Sequence, residues 1–323
     1  MKKQLVVLTI IFTLLLTGCS DDKREQETVS GLFSVPYSYS LDKQSLEFSQ
    51  NDLIIPFFSY DRDCLSEKYP IEQTYIRSKD GAKILETTIA FEHEPGPLMQ
   101  LNGRNLYGGT MRLDIEFLPV QISNAELVIE YQNKTPDSLE IGSLALADLV
   151  SDTVPKPDDC IAYVFLHAVT NDHINSGLKV NSIALEIKTE QEINIQKIDF
   201  GVPGIGIAAD DLKIFHDADA DRVLNLVKSV RLNEEISDAY DRRQTGQPDK
   251  DCNLVVGPGR YVIICPLTYQ SDSQPDVKKI FVRLDFVTEH GKSNYSIPTF
   301  PLYSIFRYPP EQLLRLTGQS TEH

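Results

Sequence analysis

Asp217, Asp219 and Asp221 have the 1-3-5 spacing of a calcium loop, in which alternate side-chain oxygens converge on one cation. Arg222 stands where such a loop needs glycine, and Lys228 where it needs a bidentate glutamate. These three candidate metal ligands fit better as the start of a helix over 222–230, where carboxylates cap free N–H groups and oppose the dipole. His93 sits between Glu92 and Glu94 in a stretch rich in proline and glycine, and His167 and His173 are six apart. Neither arrangement has the second ligand cluster that zinc needs. The run Gly204-Ile205-Gly206-Ile207-Ala208-Ala209 matches GxGxxA. A dinucleotide site also needs that run to open a helix inside a βαβ unit. Asp210-Asp211-Leu212 follow instead, so the run reads as a loop that uses glycine dihedrals. Ser40-Leu41-Asp42-Lys43 and Ser176-Gly177-Leu178-Lys179 match SxxK without an SDN or KTG element, and there is no GxSxG elbow. A carboxylate pair for glycoside hydrolysis is defined by spatial separation and leaves no sequence spacing to find. No catalytic residue is assigned and no cofactor is expected.

Four cysteines follow residue 20: Cys64, Cys160, Cys252 and Cys265. Apolar runs flank Gly257-Pro258-Gly259-Arg260, which reads as a hairpin turning on Pro258-Gly259. That register sets Val256 opposite Tyr261, Leu254 opposite Ile263 and Cys252 opposite Cys265. In a non-hydrogen-bonded pair, opposing Cα atoms stand about 4.5 Å apart, within the span of a disulfide. The expectation is therefore a Cys252–Cys265 bond. Cys64 and Cys160 then pair by elimination or stay free.

At the N-terminus, Lys2 and Lys3 precede a short apolar run, Leu5 to Leu16, as in a secretory signal. A spanning helix needs about 20 apolar residues, so this run is too short to be one. Leu16-Thr17-Gly18-Cys19 resembles the lipobox of bacterial lipoproteins. The resemblance covers about the first twenty residues and implies cleavage before Cys19, with diacylglycerol on its sulfur and an acyl chain on its amine. Two or more chains make such anchoring stable. The following Ser20-Asp21-Asp22-Lys23-Arg24-Glu25-Gln26-Glu27 resembles the export signal of Bacteroidota surface lipoproteins. That implies an outer-membrane protein facing outward, and a plain polar spacer is the alternative. Asp137-Ser138-Leu139 and Asp152-Thr153-Val154 resemble the short O-glycosylation motif of the same group.

Loss of residues 1–18 removes two lysines and no acids, taking net charge from −16 to −18. Nucleic acid is a poor partner for such a chain, because that affinity comes mostly from neutralising phosphates. Anionic membrane surfaces repel it too, so lipid must hold it down.

Period-two alternation dominates the rest. Met111, Leu113, Ile115 and Phe117 oppose Arg112, Asp114 and Glu116 along one run. Leu127, Ile129 and Tyr131 mark another, and Ile280 to Val287 turns at His290-Gly291-Lys292 to return through Tyr295 and Ile297. Such runs argue for half-buried antiparallel sheet. Helical spacing occurs at Val223, Leu226, Val227 and Val230, and a second helix fits Pro310 to Thr317, stopping at Gly318. The expected class is all-β, with one or two short helices and two antiparallel sandwich-like domains on a lipid tether. The expected divisions are 1–18 signal peptide, 19–36 tether, 37–150 first domain and 151–318 second domain, with a boundary in 132–159, where apolar Ile141 to Val150 fits a last strand or a helix.

The function expected is that of a lipid-anchored envelope protein without catalysis, binding another envelope protein or serving a surface assembly. Glycan binding is an alternative: zero tryptophans count against it, while fourteen tyrosines keep it open. A hydrolase with a dispersed carboxylate site is a third reading.

Overall fold

A computed structural model describes residues 31–43, 53–82, 84–101, 103–149, 160–171, 179–229 and 244–301. The segments expected to be a signal peptide and a helix over Pro310 to Thr317, Cys19, most of the expected tether, Asp152-Thr153-Val154 and His173 lie outside them. Gly31–His323 forms one compact unit.

The chain is all-β, as the alternation requires. The first half holds β1 (Tyr37–Asp42), β2 (Leu53–Ser59), β3 (Ile71–Ser78), β4 (Ile84–His93), β5 (Met99–Leu101), β6 (Arg104–Ile115), β7 (Val120–Tyr131) and β8 (Asp137–Ala147). The second half opens with β9 (Ile161–Asn171), β10 (Lys179–Thr189), β11 (Ile193–Asp199), β12 (Ile205–Ile207) and β13 (Lys213–His216). An α-helix, α1 (Asp217–Ser229), follows, the one α-helix among the described residues. Then come β14 (Gln244–Thr245), β15 (Asp251–Val256), β16 (Gly259–Tyr269), β17 (Val277–Thr288) and β18 (Gly291–Pro301).

The larger sheet runs β15-β11-β17-β1-β8-β7-β3-β4-β6-β2, with β18 on β17 and β5 on β6. The smaller runs β12-β16-β10-β9, with β13 and β14 also on β16. Among the described residues two large cores and a smaller cluster under the helix result. One collects Tyr39, Leu53, Ile55, Met111, Leu113 and Leu127, between the β1-β8-β7-β3 layer and the β4-β6-β2 layer. The other collects Ile183, Leu185, Ile195, Ile263, Leu267 and Leu284, between the β15-β11-β17 layer and the smaller sheet. Helix α1 covers the outer face of the smaller sheet, with Ala220, Val223, Leu224 and Val227 on Val262 and Ile264.

Strand β1 joins the two halves. It lies parallel to both β8 and β17, an exception to the antiparallel expectation. Tyr37 to Asp42 pair with Gly142 to Ala147. Gly142 has φ +97°, and a Cβ there would stand 2.1 Å from the Tyr37 carbonyl oxygen, so glycine permits this approach. Ser40 is fully buried; its Oγ donates to the Phe200 carbonyl (2.6 Å) and accepts from the Phe281 N–H (2.9 Å). Within the boundary region the apolar run from Ile141 is a strand and not a helix: it belongs to β8, whose Leu139, Ile141, Leu144 and Leu146 are core residues.

The β17–β18 hairpin forms as its alternation suggests, with Thr288 opposite Gly291 and Leu284 opposite Tyr295. The 252–265 hairpin does not form. Strand β15 pairs with β11, and β16 pairs with β10, in the other sheet. The turn sits where expected, but the strands leave it into facing sheets.

Candidate functional site: an acidic groove at a strand switch

Strand β4 changes partners along its length. Its start, Ile84 to Glu86, pairs with Arg77 to Tyr75 of β3. From Thr87 onward it pairs with β6. Burial alternates through the switch, with Leu85 and Thr87 turned inward and Ile84, Glu86 and Thr88 exposed. Two threonines hold the switch point. Thr74 Oγ1 donates to the Thr87 carbonyl (2.5 Å), and Thr87 Oγ1 donates to the Asp114 carbonyl (2.7 Å).

The divergence opens a groove of about 600 Å³. Its floor is buried Thr74, Thr87 and Ile115, and its walls include half-buried Ile71 and Ile89. Exposed Glu72, Glu86, Asp114 and Glu116 surround it. Asp114 and Glu116 come from the polar face of the alternating β6 run, so their side was legible in the sequence. Among the described residues, no basic side chain forms an ion pair with any of the four. Along Ile71 to Thr74, β3 has β7 on one side and, among the described residues, no strand on the other. Sequence gave no sign of this, because the site depends on where β4 leaves β3.

A second hollow, of about 370 Å³, contrasts with the first. It is lined by Lys197, Asp251, Arg283, Asp285 and Lys292 among others. Its charges are largely matched within the chain, with Arg283 on Asp285 and Lys197 on Asp199.

The residues singled out in the sequence are mostly committed to structure. The helix begins at Asp217, five residues before the expected start, so Asp217 and Asp219 lie within its first turn and not ahead of it. Asp221 pairs with Arg260. Among the described residues no cluster of three candidate metal ligands forms. His93 Nε2 bonds to the Leu65 carbonyl (3.1 Å) while its ring meets Phe57 and Phe91 edge-on. His167 contacts Glu186 (3.2 Å). Burial raises the Glu186 pKa, but hydrogen bonds from Arg260 and His167 outweigh it and hold the carboxyl below its usual range. Ser40 of the SxxK match is the buried bridge described above. The 204–209 run forms β12 and a short 3-10 turn, with Gly204 at φ +74°. Ser138 lies on β8 and donates to Glu126 (3.3 Å).

Cys64, Cys160, Cys252 and Cys265 are free thiols in this structure. Cys64 belongs to the first core and Cys160 to the second, an arrangement that fits the alternative in which both stay free.

No protein-family model and no curated protein matches the chain. Among solved structures it is similar to a collagen adhesin from S. aureus, at 10% identity over 84% of this chain and 94% of that one, with a TM-score of 0.21. It is also similar to the C-terminal domain of an AgI/II polypeptide from Streptococcus agalactiae, at 8% identity over 84% and 99%, with a TM-score of 0.20. At such scores the fold is described by its own strand ladders.

Proposed function

We propose that the chain is an exported lipoprotein, held in the outer membrane through Cys19, that acts without catalysis as a binding part of a surface assembly. The acidic groove is its contact site for a protein partner. The observation that carries this reading is four exposed carboxylates around a partly apolar groove, none with a cation from the described chain. A partner that brings lysine or arginine supplies the missing charge. Each exposed pair adds about 0–1 kcal/mol, so the carboxylates chiefly set specificity and encounter rate, while Ile71 and Ile89 supply apolar contact.

Charge removal tests it. The variant Glu72→Gln, Glu86→Gln, Asp114→Asn, Glu116→Gln keeps side-chain size and needs no buried change. Its capture of the partner from intact cells is expected to fall at least tenfold, with an unchanged unfolding midpoint. Undiminished capture would reject the groove as the contact site. The anchor is tested separately, since Cys19→Ala is expected to move the protein from the membrane to the soluble fraction.

A glycan reading has one observation in its favour. Tyr163 and Phe165 lie 5.1 Å apart on β9, and Phe165 is 55% exposed. Sugar binding abolished by Phe165→Ala would move the function to that face.

A further inference from the structure

The link between β15 and β16 is an arch that passes from one sheet to the facing one. Thr189 Oγ1, at the end of β10, donates to the carbonyls of Gly257 and Gly259 and holds the turn. Cys252 and Cys265 are equidistant in sequence from the Pro258–Gly259 bond. Along β15, Cys252, Leu254 and Val256 face the enclosed core, and along β16 so do Ile263, Cys265 and Leu267. Cys265 is fully buried in that core, and Cys252 packs against it from the opposite sheet.

We propose that Cys252 and Cys265 are joined by a disulfide through the second core, tying the two sheets together at the arch. The two Sγ–H groups form one S–S bond. Their two protons and two electrons pass to the disulfide of an envelope thiol oxidant, which leaves as a dithiol. The proposal rests on the export reading, because disulfides persist in oxidising compartments. Facing sheets stand about 10 Å apart, while a disulfide spans at most about 7 Å between Cα atoms. Oxidation therefore draws β15 toward β16. Among the described residues β15 is an edge strand that pairs with β11 alone. The chain just before it is held at Asp249, whose carbonyl accepts from the Ile207 N–H (2.7 Å), so the movement falls on Asp251 to Val256. The turn already holds the near ends of the two strands together.

The timing follows from burial. It pushes the Cys252 thiol up to about 11, with Asp251 and Asp249 adding to the shift. Burial pushes Cys265 further, and the nearby Cys252 thiol adds to it. The thiolate is the reacting species, so the closed core reacts slowly and the bond forms while the chain is folding.

The test is to unfold and reduce the purified chain, refold it in reduced and oxidised glutathione, alkylate it in denaturant and map peptides without reduction. A Cys252–Cys265 peptide is expected, with Cys64 and Cys160 alkylated. Either Cys252→Ser or Cys265→Ser removes the link and lowers the urea midpoint to that of the reduced protein. Four alkylated cysteines, or a link that includes Cys160, would overturn the arch. Mapping the protein extracted from its own cells separates the two readings. A link present after refolding but absent from cells supports the arch and overturns export to an oxidising compartment.

Discussion

Ser40→Ala should weaken the joint between the two cores more than a one-atom change suggests. Ser40 is fully buried in β1, and its Oγ serves the Phe200 carbonyl and the Phe281 N–H, both in the second half of the chain. Alanine leaves both backbone groups in a dry setting without this oxygen. A buried polar group that loses its partner costs about 1–3 kcal/mol, so two such losses cost about 2–4 kcal/mol once partial relaxation is allowed. The stability of a domain is about 5–15 kcal/mol, so this is a large fraction. With a urea slope of about 3 kcal/mol/M, the midpoint falls by about 1 M. Urea unfolding followed by circular dichroism and tyrosine emission reads it, since the chain has no tryptophan. Ser40 sits where the halves meet, so the loss also uncouples them. The wild type is expected to unfold in one transition and the variant in a broader or double one. A midpoint within 0.2 M of wild type, with unchanged shape, would refute the claim that Ser40 links the halves.

Tyr39→Phe should act in the opposite direction. The Tyr39 hydroxyl is fully buried with no hydrogen-bond partner among the described residues, so its removal raises stability by about 1 kcal/mol in the same assay. Lys278 is 4% exposed, and burial, with Lys279 beside it, lowers its pKa to about 8. Between about pH 8 and 10.5 the unfolded chain holds this proton and the folded chain does not, so stability should rise with pH across that window. Lys278→Met should flatten the rise. Glu186 titrates below its usual range in the fold, so its contribution is present above the unfolded pKa and is lost as pH falls through the folded one. Arg260→Ala should remove most of that acid dependence, which thermal melts from pH 6 down to pH 3 would show, and it should loosen α1 by freeing Asp221.

The class of the fold was legible because side chains alternate across a half-buried sheet. Met111, Leu113 and Ile115 had to share a face whatever the topology, and they do. The β17–β18 hairpin was legible for the same reason, with a short polar turn between matched runs. Partner choice was less visible. The 252–265 segment has two apolar runs and a tight turn, which describes an arch as well as a hairpin. Whether the strands pair or separate depends on β11 and β10, which lie far away in sequence and claim β15 and β16. Likewise, nothing local to β1 reveals that it pairs with residues 142–147 and again with the start of β17. The candidate groove shared this difficulty. Its carboxylates are ordinary solvent-facing positions of alternating strands, and only the partner change of β4 gathers them. The helix was the reverse case, since its apolar spacing and its acidic first turn are local and readable from adjacent residues, although it begins at Asp217 and not at 222.

Site-specific photo-cross-linking on intact cells tests the central claim most directly. A photoreactive residue replaces Gln73 or Thr88 in the groove and, in a parallel strain, Phe165 on β9. One dominant protein adduct from both groove positions, and none from position 165, is the expected result. Adducts at position 165 with none from the groove would contradict the account and move the binding face to the smaller sheet.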